Sequence, residues 1–292
     1  MSGALWTACF AAALGSVYAG LALHVAGDLV VNLATVVAGA LLLVAERIWP
    51  DQAAWLDADD DLWHDIGHFF LGFALGAFGG VALAQAFVPA AAWQVWPSDW
   101  PLVLQVPLAL FIAEFFQYWQ HRLLHSVPAL WWVHMLHHSA TRMTFLKTTR
   151  IHALDIGSGA FLTTAPLLAL GAPPAVLLWA TAFGNFTAQL QHSNVTLPTP
   201  RWVNAIVGTP ATHWLHHSID KREGNSNFGM NLMLWDHIFG TYIPPSETPC
   251  ITIGIDPNPV PPTFIGQLLL PFRGLRRTQE LDSRESGIGV TD

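Results

Sequence analysis

Long uncharged hydrophobic stretches alternate with short polar segments along the chain. No Asp, Glu, Lys or Arg precedes Asp28, and none lies between Asp65 and Asp99 or between Asp155 and Arg201. Each gap is long enough for a membrane-spanning helix of about 20 residues. The pattern predicts hydrophobic helices near residues 4–23, 29–48, 63–88 and 101–120, followed by a helical hairpin near 156–170 and 173–192.

The segment Gly171-Ala172-Pro173-Pro174 provides the turn of this hairpin, because Gly and Pro interrupt helices. Its arms are short for full spans, which leaves open whether the hairpin crosses or re-enters the membrane. After Tyr242 the chain becomes Pro-rich, and a charged tail follows from Arg273. We therefore expect N-terminal transmembrane helices over 1–60, a second domain of transmembrane helices and histidine-rich segments over 61–243 and a partly disordered C-terminal tail over 244–292.

The composition favours a membrane protein with an all-α helical bundle. Apolar residues make up 52% of the chain and charged residues 11%, whereas soluble domains carry roughly 25% charged residues. The formal net charge of −8 gives no support to nucleic-acid binding. The N-terminus has no basic region, which favours a retained first span over a cleaved signal peptide. Two cysteines, Cys9 and Cys250, cannot form a disulfide framework.

Histidines recur in a pattern that indicates metal binding. The chain contains one HxxxH box, two HxxHH boxes and two single histidines between them; these residues are His121 and His125, His134, His137 and His138, His213, His216 and His217, and the singles His152 and His192. Residues three and four apart share a helix face, so each HxxHH box aims three imidazoles at one region. Adjacent histidines point about 100° apart on a helix of 3.6 residues per turn, which suits two metal ions rather than one.

The charge pattern places these boxes on one side of the membrane. Arg and Lys cluster at positions 122, 142–150, 201, 221–222 and 273–284, next to the histidine boxes. The positive-inside rule assigns such segments to the cytoplasm. The sequence therefore predicts a multi-pass protein with a cytosolic, histidine-rich di-metal cap.

A polar stripe runs along the helix that is predicted to start near Pro101. Glu114 and Gln117 lie on the same face as His121 and His125. A carboxylate inside a hydrophobic span is costly, so a functional role is the default expectation. We expect Glu114 and Gln117 to hold imidazole N–H groups behind the metal ligands.

Other histidines do not fit the pattern. His64 and His68 also form an HxxxH pair, but they precede an uncharged span and have no second box nearby. We expect an interfacial pair there rather than metal ligands. His24 is expected to be interfacial, and His237 either structural or in contact with a ligand.

Three rival classes fit the sequence less well. A zinc protease would carry HExxH, which is absent, and a catalytic zinc needs only about three protein ligands. A haem protein needs two axial histidines and does not explain a repeated HxxHH box. A nucleophilic hydrolase would be expected to carry a GxSxG elbow, which is also absent.

Taken in order, the boxes resemble the fatty acid hydroxylase/sterol desaturase superfamily of membrane di-iron enzymes. The resemblance spans roughly residues 105–243. It rests on the histidine boxes and on Gln191-His192-Ser193, Thr209-Pro210, Asn227-Phe228-Gly229, Leu234-Trp235-Asp236 and Phe239-Gly240-Thr241-Tyr242. Two positions depart from the family pattern, since Ala153 stands where Pro is usual and His237 where Arg is common.

The resemblance implies a cytosolic cap in which eight to ten histidines hold two iron ions. These would activate O2 to hydroxylate or desaturate a C–H bond of a lipid or another hydrophobic substrate. Zn²⁺ has no redox chemistry, and neutral imidazoles suit iron. No flavin, haem or Fe–S motif is apparent, so electrons would come from an external reductase, cytochrome or ferredoxin.

We favour hydroxylation over desaturation. A non-catalytic metal-handling membrane protein is the alternative from a different class. The expected metal ligands are the eight histidines of the boxes together with His192, and His152 is expected as a tenth. Asn227 and Asp236 are expected to orient these ligands or the loops that carry them.

Overall fold

The structure is a computed structural model, which describes residues 27–57, 61–88, 93–246 and 252–276. The predicted helix at 4–23, His24 and both cysteines lie outside these ranges. The described residues form helices and loops, with isolated bridges such as Ser218 with Ile253 and no β-strand. The all-α prediction is therefore confirmed.

The described residues include seven longer helices and several short ones, here in chain order. They are α1 (Gly27–Ile48), α2 (Leu62–Leu71), α3 (Phe78–Phe87), α4 (Leu102–Ser126), α5 (Pro128–His138), α6 (Ala153–Leu170), α7 (Pro174–His192), α8 (Arg201–Asn204), α9 (Pro210–His216), α10 (Lys221–Gly224), α11 (Leu234–Phe239) and α12 (Phe264–Leu268). A π-helical segment, Gly72–Ala77, joins α2 to α3, and short 3₁₀ turns lie at Ala53–Leu56 and Phe145–Thr149.

Four helical segments are long and apolar enough to cross a membrane. They are Leu29–Ile48, Leu62–Phe87, Leu102–Ser126 and Ala153–Leu170. These segments agree with hydrophobic helices predicted from the sequence pattern. The chain is therefore a membrane protein with at least these candidate spans in the described residues.

Helix α4 extends beyond its hydrophobic part. The hydrophobic stretch was predicted to end near residue 120, and the helix continues to Ser126, just before Pro128. Residues 121–126 carry His121, Arg122 and His125, so the polar stripe predicted on this helix lies on one continuous helix. Polar side chains do not end a helix by themselves, whereas Pro128 begins a new helix after the extended residue Val127.

The spans pack around α6 and α7. Helix α6 contacts α3 and α4, while α7 contacts α1, α4 and the short helix α9. Gly171 ends α6 with φ 84°, a left-handed conformation that favours glycine, and forms the predicted hairpin turn. One apolar core lies between α1 and α7, and another lies at the hairpin turn around Trp96 and Val176. This packing brings the C-terminal end of α4 and that of α7 to the same end of the bundle as α5 and α9.

Candidate metal centre

Nine of the ten predicted histidine ligands lie together in two groups. The five-histidine group consists of His121, His125, His134, His138 and His216. The four-histidine group consists of His137, His192, His213 and His217. Within each group one ring nitrogen per residue lies within 4.8 Å of the corresponding nitrogen of every other member. Helices α4, α5, α7 and α9 thus each contribute to a shared centre.

Each HxxHH box divides its imidazoles between the two groups. The first box gives His134 and His138 to the five-histidine group and His137 to the other. The adjacent residues of the second box, His216 and His217, separate in the same way. The three imidazoles of a box therefore do not all face one spot, and its adjacent pair faces the two groups, as expected from the angle of about 100° between neighbouring residues on a helix. The groups themselves are adjacent, since the rings of His138 and His217 stack with centroids 4.2 Å apart.

Three members of the five-histidine group have their ring orientation fixed by oxygen acceptors; one of them is His216, whose Nδ1 lies 2.7 Å from the carbonyl oxygen of Ser226. The Nδ1 atom of His121 lies 2.8 Å from the carbonyl oxygen of Phe228, and Nδ1 of His134 lies 2.6 Å from Oδ2 of Asp155. Each Nδ1 therefore carries the proton, and each Nε2 carries the lone pair. The Nε2 atoms of His121 and His134 are nevertheless 3.1 Å apart. Neither can donate to the other, so a cation between them satisfies both.

In the four-histidine group the Nε2 atoms also approach one another closely. Its Nε2 atoms approach one another in pairs at 3.0 to 3.2 Å, from His137 to His192 and from His213 to His217 among others. Nδ1 of His192 donates to the carbonyl oxygen of Ala188 at 2.7 Å, which leaves the Nε2 lone pair facing the group. Such mutual approach of imidazole nitrogens fits a metal ion bound at their centre.

Burial keeps grouped histidines neutral. Burial is the largest cause, followed by the neighbouring imidazoles, of a pKa well below the usual histidine value for His137, His138, His213, His216 and His217. Neutral imidazole is the form that binds metals. Nε2 of His216 is also buried without a hydrogen-bond partner, as is Nε2 of His125, and both belong to the five-histidine group.

His152 does not join either group. It begins α6, where its Nδ1 accepts a hydrogen bond from the backbone N–H of Leu154 at 3.2 Å. Its Nε2 donates to the carbonyl oxygen of Leu268 at 3.1 Å. Both ring nitrogens are therefore occupied, and neither lone pair is available to a metal. We correct the expectation that His152 is a ligand.

Glu114 and Gln117 do not hold imidazole N–H groups, contrary to expectation. The carboxylate of Glu114 accepts hydrogen bonds from the backbone of Met230 and from the backbone and side chain of Asn231. It thereby fixes the loop that presents the Phe228 carbonyl to His121. Gln117 donates to Oε1 of Gln120 at 2.9 Å. The stripe predicted on α4 is present, but Glu114 and Gln117 support a loop and a side chain behind the histidines.

Asn227 and Asp236 act on the same loop. The carboxylate of Asp236 accepts the backbone N–H groups of Phe228 and Gly229 at 2.8 and 2.7 Å. Burial raises the pKa of Asp236. Asn227 exchanges two hydrogen bonds, both 2.9 Å, with the backbone of Ile243. Both residues hold the loop that carries the Phe228 carbonyl and do not bond an imidazole.

Asp155 and Gln120 were missed in the sequence analysis. Asp155 accepts the Nδ1–H of His134, and Gln120 donates from Nε2 to Oδ1 of Asp155 at 3.1 Å. Through Gln120, Gln117 is also connected to this pair. The signal was available, because Asp155 is an acidic residue at the edge of an uncharged stretch, the same feature that singled out Glu114.

The remaining described histidines have other partners. His68 is fully buried within the protein, with Nε2 3.0 Å from Oε1 of Gln267, and belongs to neither histidine group. His64 lies 3.4 Å from a carboxylate oxygen of Asp61. His237 bonds the carbonyl oxygen of Ala205 at 2.8 Å, which is a structural contact.

Comparison with known proteins places this site in a family. The fatty acid hydroxylase family profile matches residues 106–241, which contain all nine grouped histidines. The ornithine lipid hydroxylase OlsE of Rhizobium tropici is 36% identical over 283 residues, covering 93% of this chain and 84% of that protein. No solved structure matches the chain.

More distant relatives match about half of the chain. Human alkylglycerol monooxygenase is 29% identical over 147 residues, covering 50% of this chain and 32% of that protein. The Delta(7)-sterol 5(6)-desaturase ERG3A of Gibberella zeae is 29% identical over 157 residues, covering 52% of this chain and 41% of that protein. The chain belongs to the fatty acid hydroxylase family and is an oxidoreductase. This sets aside the alternative of a non-catalytic metal-handling protein.

Proposed function

We propose that the two histidine groups hold two iron ions and that the enzyme hydroxylates a C–H bond of a membrane lipid. The observation that carries this proposal is the 3.1 Å approach of Nε2 of His121 to Nε2 of His134. Both Nδ1 protons are already donated to oxygen atoms, so the two lone pairs face each other. Only a bound cation, or an added proton that burial disfavours, relieves this repulsion.

The donor set favours iron. Nine neutral nitrogen donors in two adjacent groups provide five and four ligands, and the group of five exceeds the three to four protein ligands that zinc takes. Family members named as hydroxylases, monooxygenases and desaturases require a redox-capable metal, and imidazole suits iron. When bound, the iron pair would supply activation of O2 for oxidation of an unactivated C–H bond.

The reaction balances as a monooxygenation. One oxygen atom of O2 enters the C–H bond as a hydroxyl, and the other leaves as water with two electrons and two protons. An external electron donor of the reductase, cytochrome or ferredoxin type supplies the electrons. Desaturation on the same centre is the second candidate, favoured by the similarity to the sterol desaturase.

The protein's own residues would prepare the centre. Asp155 holds the Nδ1 proton of His134, and the Phe228 carbonyl holds that of His121, so both Nε2 lone pairs stay directed inward. Trp131 packs against His125 and His138, with ring centroids 5.2 and 5.5 Å apart. This indole excludes water from one side of the five-histidine group.

We further propose an amino-acid-containing lipid as substrate and a cytoplasmic orientation of the cap. The substrate class rests on the similarity to ornithine lipid hydroxylase OlsE, which covers 93% of the chain. The orientation rests on basic residues of the cap, such as Arg122, Lys221 and Arg222, which the positive-inside rule assigns to the cytoplasm.

Lipidomics with the purified enzyme provides the test. The protein is loaded with iron and supplied with O2, a reductase system and ornithine lipid. We expect about two irons per chain and a product 16 mass units heavier, with ¹⁸O2 contributing the new oxygen. A product two units lighter would identify a desaturase, and a lack of reductant-dependent O2 uptake with every lipid class offered would refute the oxygenase proposal.

A further inference from the structure

The C-terminal segment 264–276 has two faces of different character. It is helical over Phe264–Leu268 and again over 270–276. The face toward the protein is buried and comprises Gly266, Gln267, Leu270, Pro271 and Gly274. The opposite face exposes four large apolar side chains, Ile265 at 64%, Leu269 at 40%, Phe272 at 54% and Leu275 at 40%. Their spacing of four, three and three residues aligns them in one row along a helix.

Contacts of the buried face fix the orientation of this row. The backbone at Gly274 lies so close to Trp132 that a Cβ there would come within 2.0 Å of the indole. Leu270 packs in a core cluster with Met135 and Leu136 of α5. Because the inner face is seated on α5, the apolar row cannot turn inward.

Two further hydrogen bonds fix the height of the segment relative to the membrane. Gln267 bonds Nε2 of His68, which lies six residues after the first residue of the candidate span Leu62–Phe87, or about 9 Å along its axis. The carbonyl of Leu268 accepts from His152, which directly precedes the span Ala153–Leu170. The 26-residue span is about 39 Å long, against about 30 Å for the hydrocarbon core. The segment therefore lies near the level at which acyl chains meet headgroups.

Two cations accompany the apolar row. Arg273 and Arg276 are exposed in the same helical turns. A helix with large apolar side chains on its outer face and Arg beside them is typical of segments that lie in the plane of the membrane surface. Anionic lipid headgroups complement the guanidinium groups. The hydrogen bonds to His68 and His152 hold the segment at the level where such headgroups lie.

We propose that segment 264–276 is an interfacial helix bound to the lipid bilayer. Ile265, Leu269 and Phe272 enter the boundary between headgroups and acyl chains, and Arg273 and Arg276 contact anionic headgroups. His152 serves as an anchor for this helix through Leu268. The proposal does not depend on iron or on the reaction.

Spin-label depth measurements on the full-length chain test it. In a Cys9→Ser, Cys250→Ser background, a nitroxide is attached at Phe272→Cys, with Lys221→Cys on the exposed helix α10 as the matched control. Both proteins are reconstituted in phosphatidylcholine vesicles containing phosphatidylglycerol. Collision rates with O2, which enriches in the bilayer, and with a water-soluble nickel chelate are compared. Unchanged circular dichroism and thermal unfolding midpoints verify the fold.

We expect the oxygen-to-nickel ratio to be several-fold higher at Phe272 than at Lys221. Equal ratios would overturn the proposal, because the row would then face water. Low collision rates with both reagents would also overturn it, because a protein surface, such as a second copy of the chain, would then cover the row.

A second experiment tests the proposed contact of Arg273 and Arg276 with anionic headgroups. Arg273→Gln, Arg276→Gln in the labelled Phe272→Cys protein should lower the ratio in vesicles with phosphatidylglycerol and leave it unchanged in phosphatidylcholine alone. An unchanged ratio in the anionic vesicles would refute the contact with headgroups.

Discussion

The imidazole of His134 and the carboxylate of Asp155 form a buried pair, with Nδ1 and Oδ2 2.6 Å apart. The pair joins α5 to the first turn of α6, so a ring in the five-histidine group is oriented by the start of a membrane span. Gln120 of α4 donates to the other oxygen of the same carboxylate at 3.1 Å. Three helices thus determine the direction of one Nε2 lone pair.

Replacement of this carboxylate should weaken iron binding without unfolding the protein. Asp155→Asn keeps the shape but removes the charge that stabilises the Nδ1–H donor of His134. Loss of such an outer partner typically costs about 10- to 100-fold in metal affinity or activity. Iron per chain during titration with a chelator, together with turnover, measures the effect. Asp99→Asn, at an exposed carboxylate in the loop before α4, is the control and should match the wild type. Wild-type iron affinity and turnover in Asp155→Asn would contradict the assigned role.

Removal of a grouped imidazole should have a much larger effect than removal of a histidine outside the groups. His216→Ala deletes a member of the five-histidine group, so we expect turnover to be abolished and bound iron to fall from about two toward one per chain. His64→Ala removes a partly exposed side chain that contacts Asp61 and should leave iron content at the wild-type level. Metal analysis of both purified variants decides the matter. Iron loss in His64→Ala would show that the assignment of the groups is wrong.

A variant of His152 tests which feature identifies a metal ligand: the position of a histidine among the boxes or the contacts of its ring nitrogens. His152→Ala removes the cap of α6 and the bond to the Leu268 carbonyl. Loss of a cap and of one hydrogen bond costs about 1–2 kcal/mol, so the unfolding midpoint should fall while iron per chain stays near two. Thermal unfolding in detergent and metal analysis separate the two effects. His192→Ala, in the four-histidine group, should lose iron. Equal iron loss in both variants would restore His152 as a ligand.

Most of the grouped histidines could be predicted from the sequence, because the HxxxH and HxxHH spacings on α4, α5 and α9 are local patterns with helix periodicity. The hydrophobic stretches likewise located the four candidate spans. His152 shows the limit of this reasoning. Its spacing from the other boxes resembles that of a ligand, but whether a ring nitrogen is free depends on Leu268, more than 100 residues later in the chain.

The supporting residues were harder to predict for the same reason. Glu114 was singled out as a carboxylate in an apolar helix, but its partner is the backbone at residues 230–231 rather than an imidazole. Asp155, in contrast, does bond an imidazole, that of His134, but it was not singled out as a supporting residue from the sequence. Which carboxylate meets which donor depends on how α4, α6 and the 227–231 loop pack, and local sequence does not contain that information.

The loop held by Glu114 offers a test that is specific to one histidine group. The carboxylate accepts three N–H donors, from the backbone of Met230 and from the backbone and side chain of Asn231. In Glu114→Gln the amide presents an NH₂ group toward these donors, so at least one buried donor loses its partner at a cost of about 1–3 kcal/mol. The adjacent Phe228 carbonyl should then hold His121 less firmly. Because His121 belongs to the five-histidine group, we expect iron per chain to approach one, with iron retained in the four-histidine group.

Iron titration with and without a competing chelator measures this. Loss of both irons in parallel would instead indicate general unfolding, and retention of both at wild-type affinity would show that the loop does not orient His121.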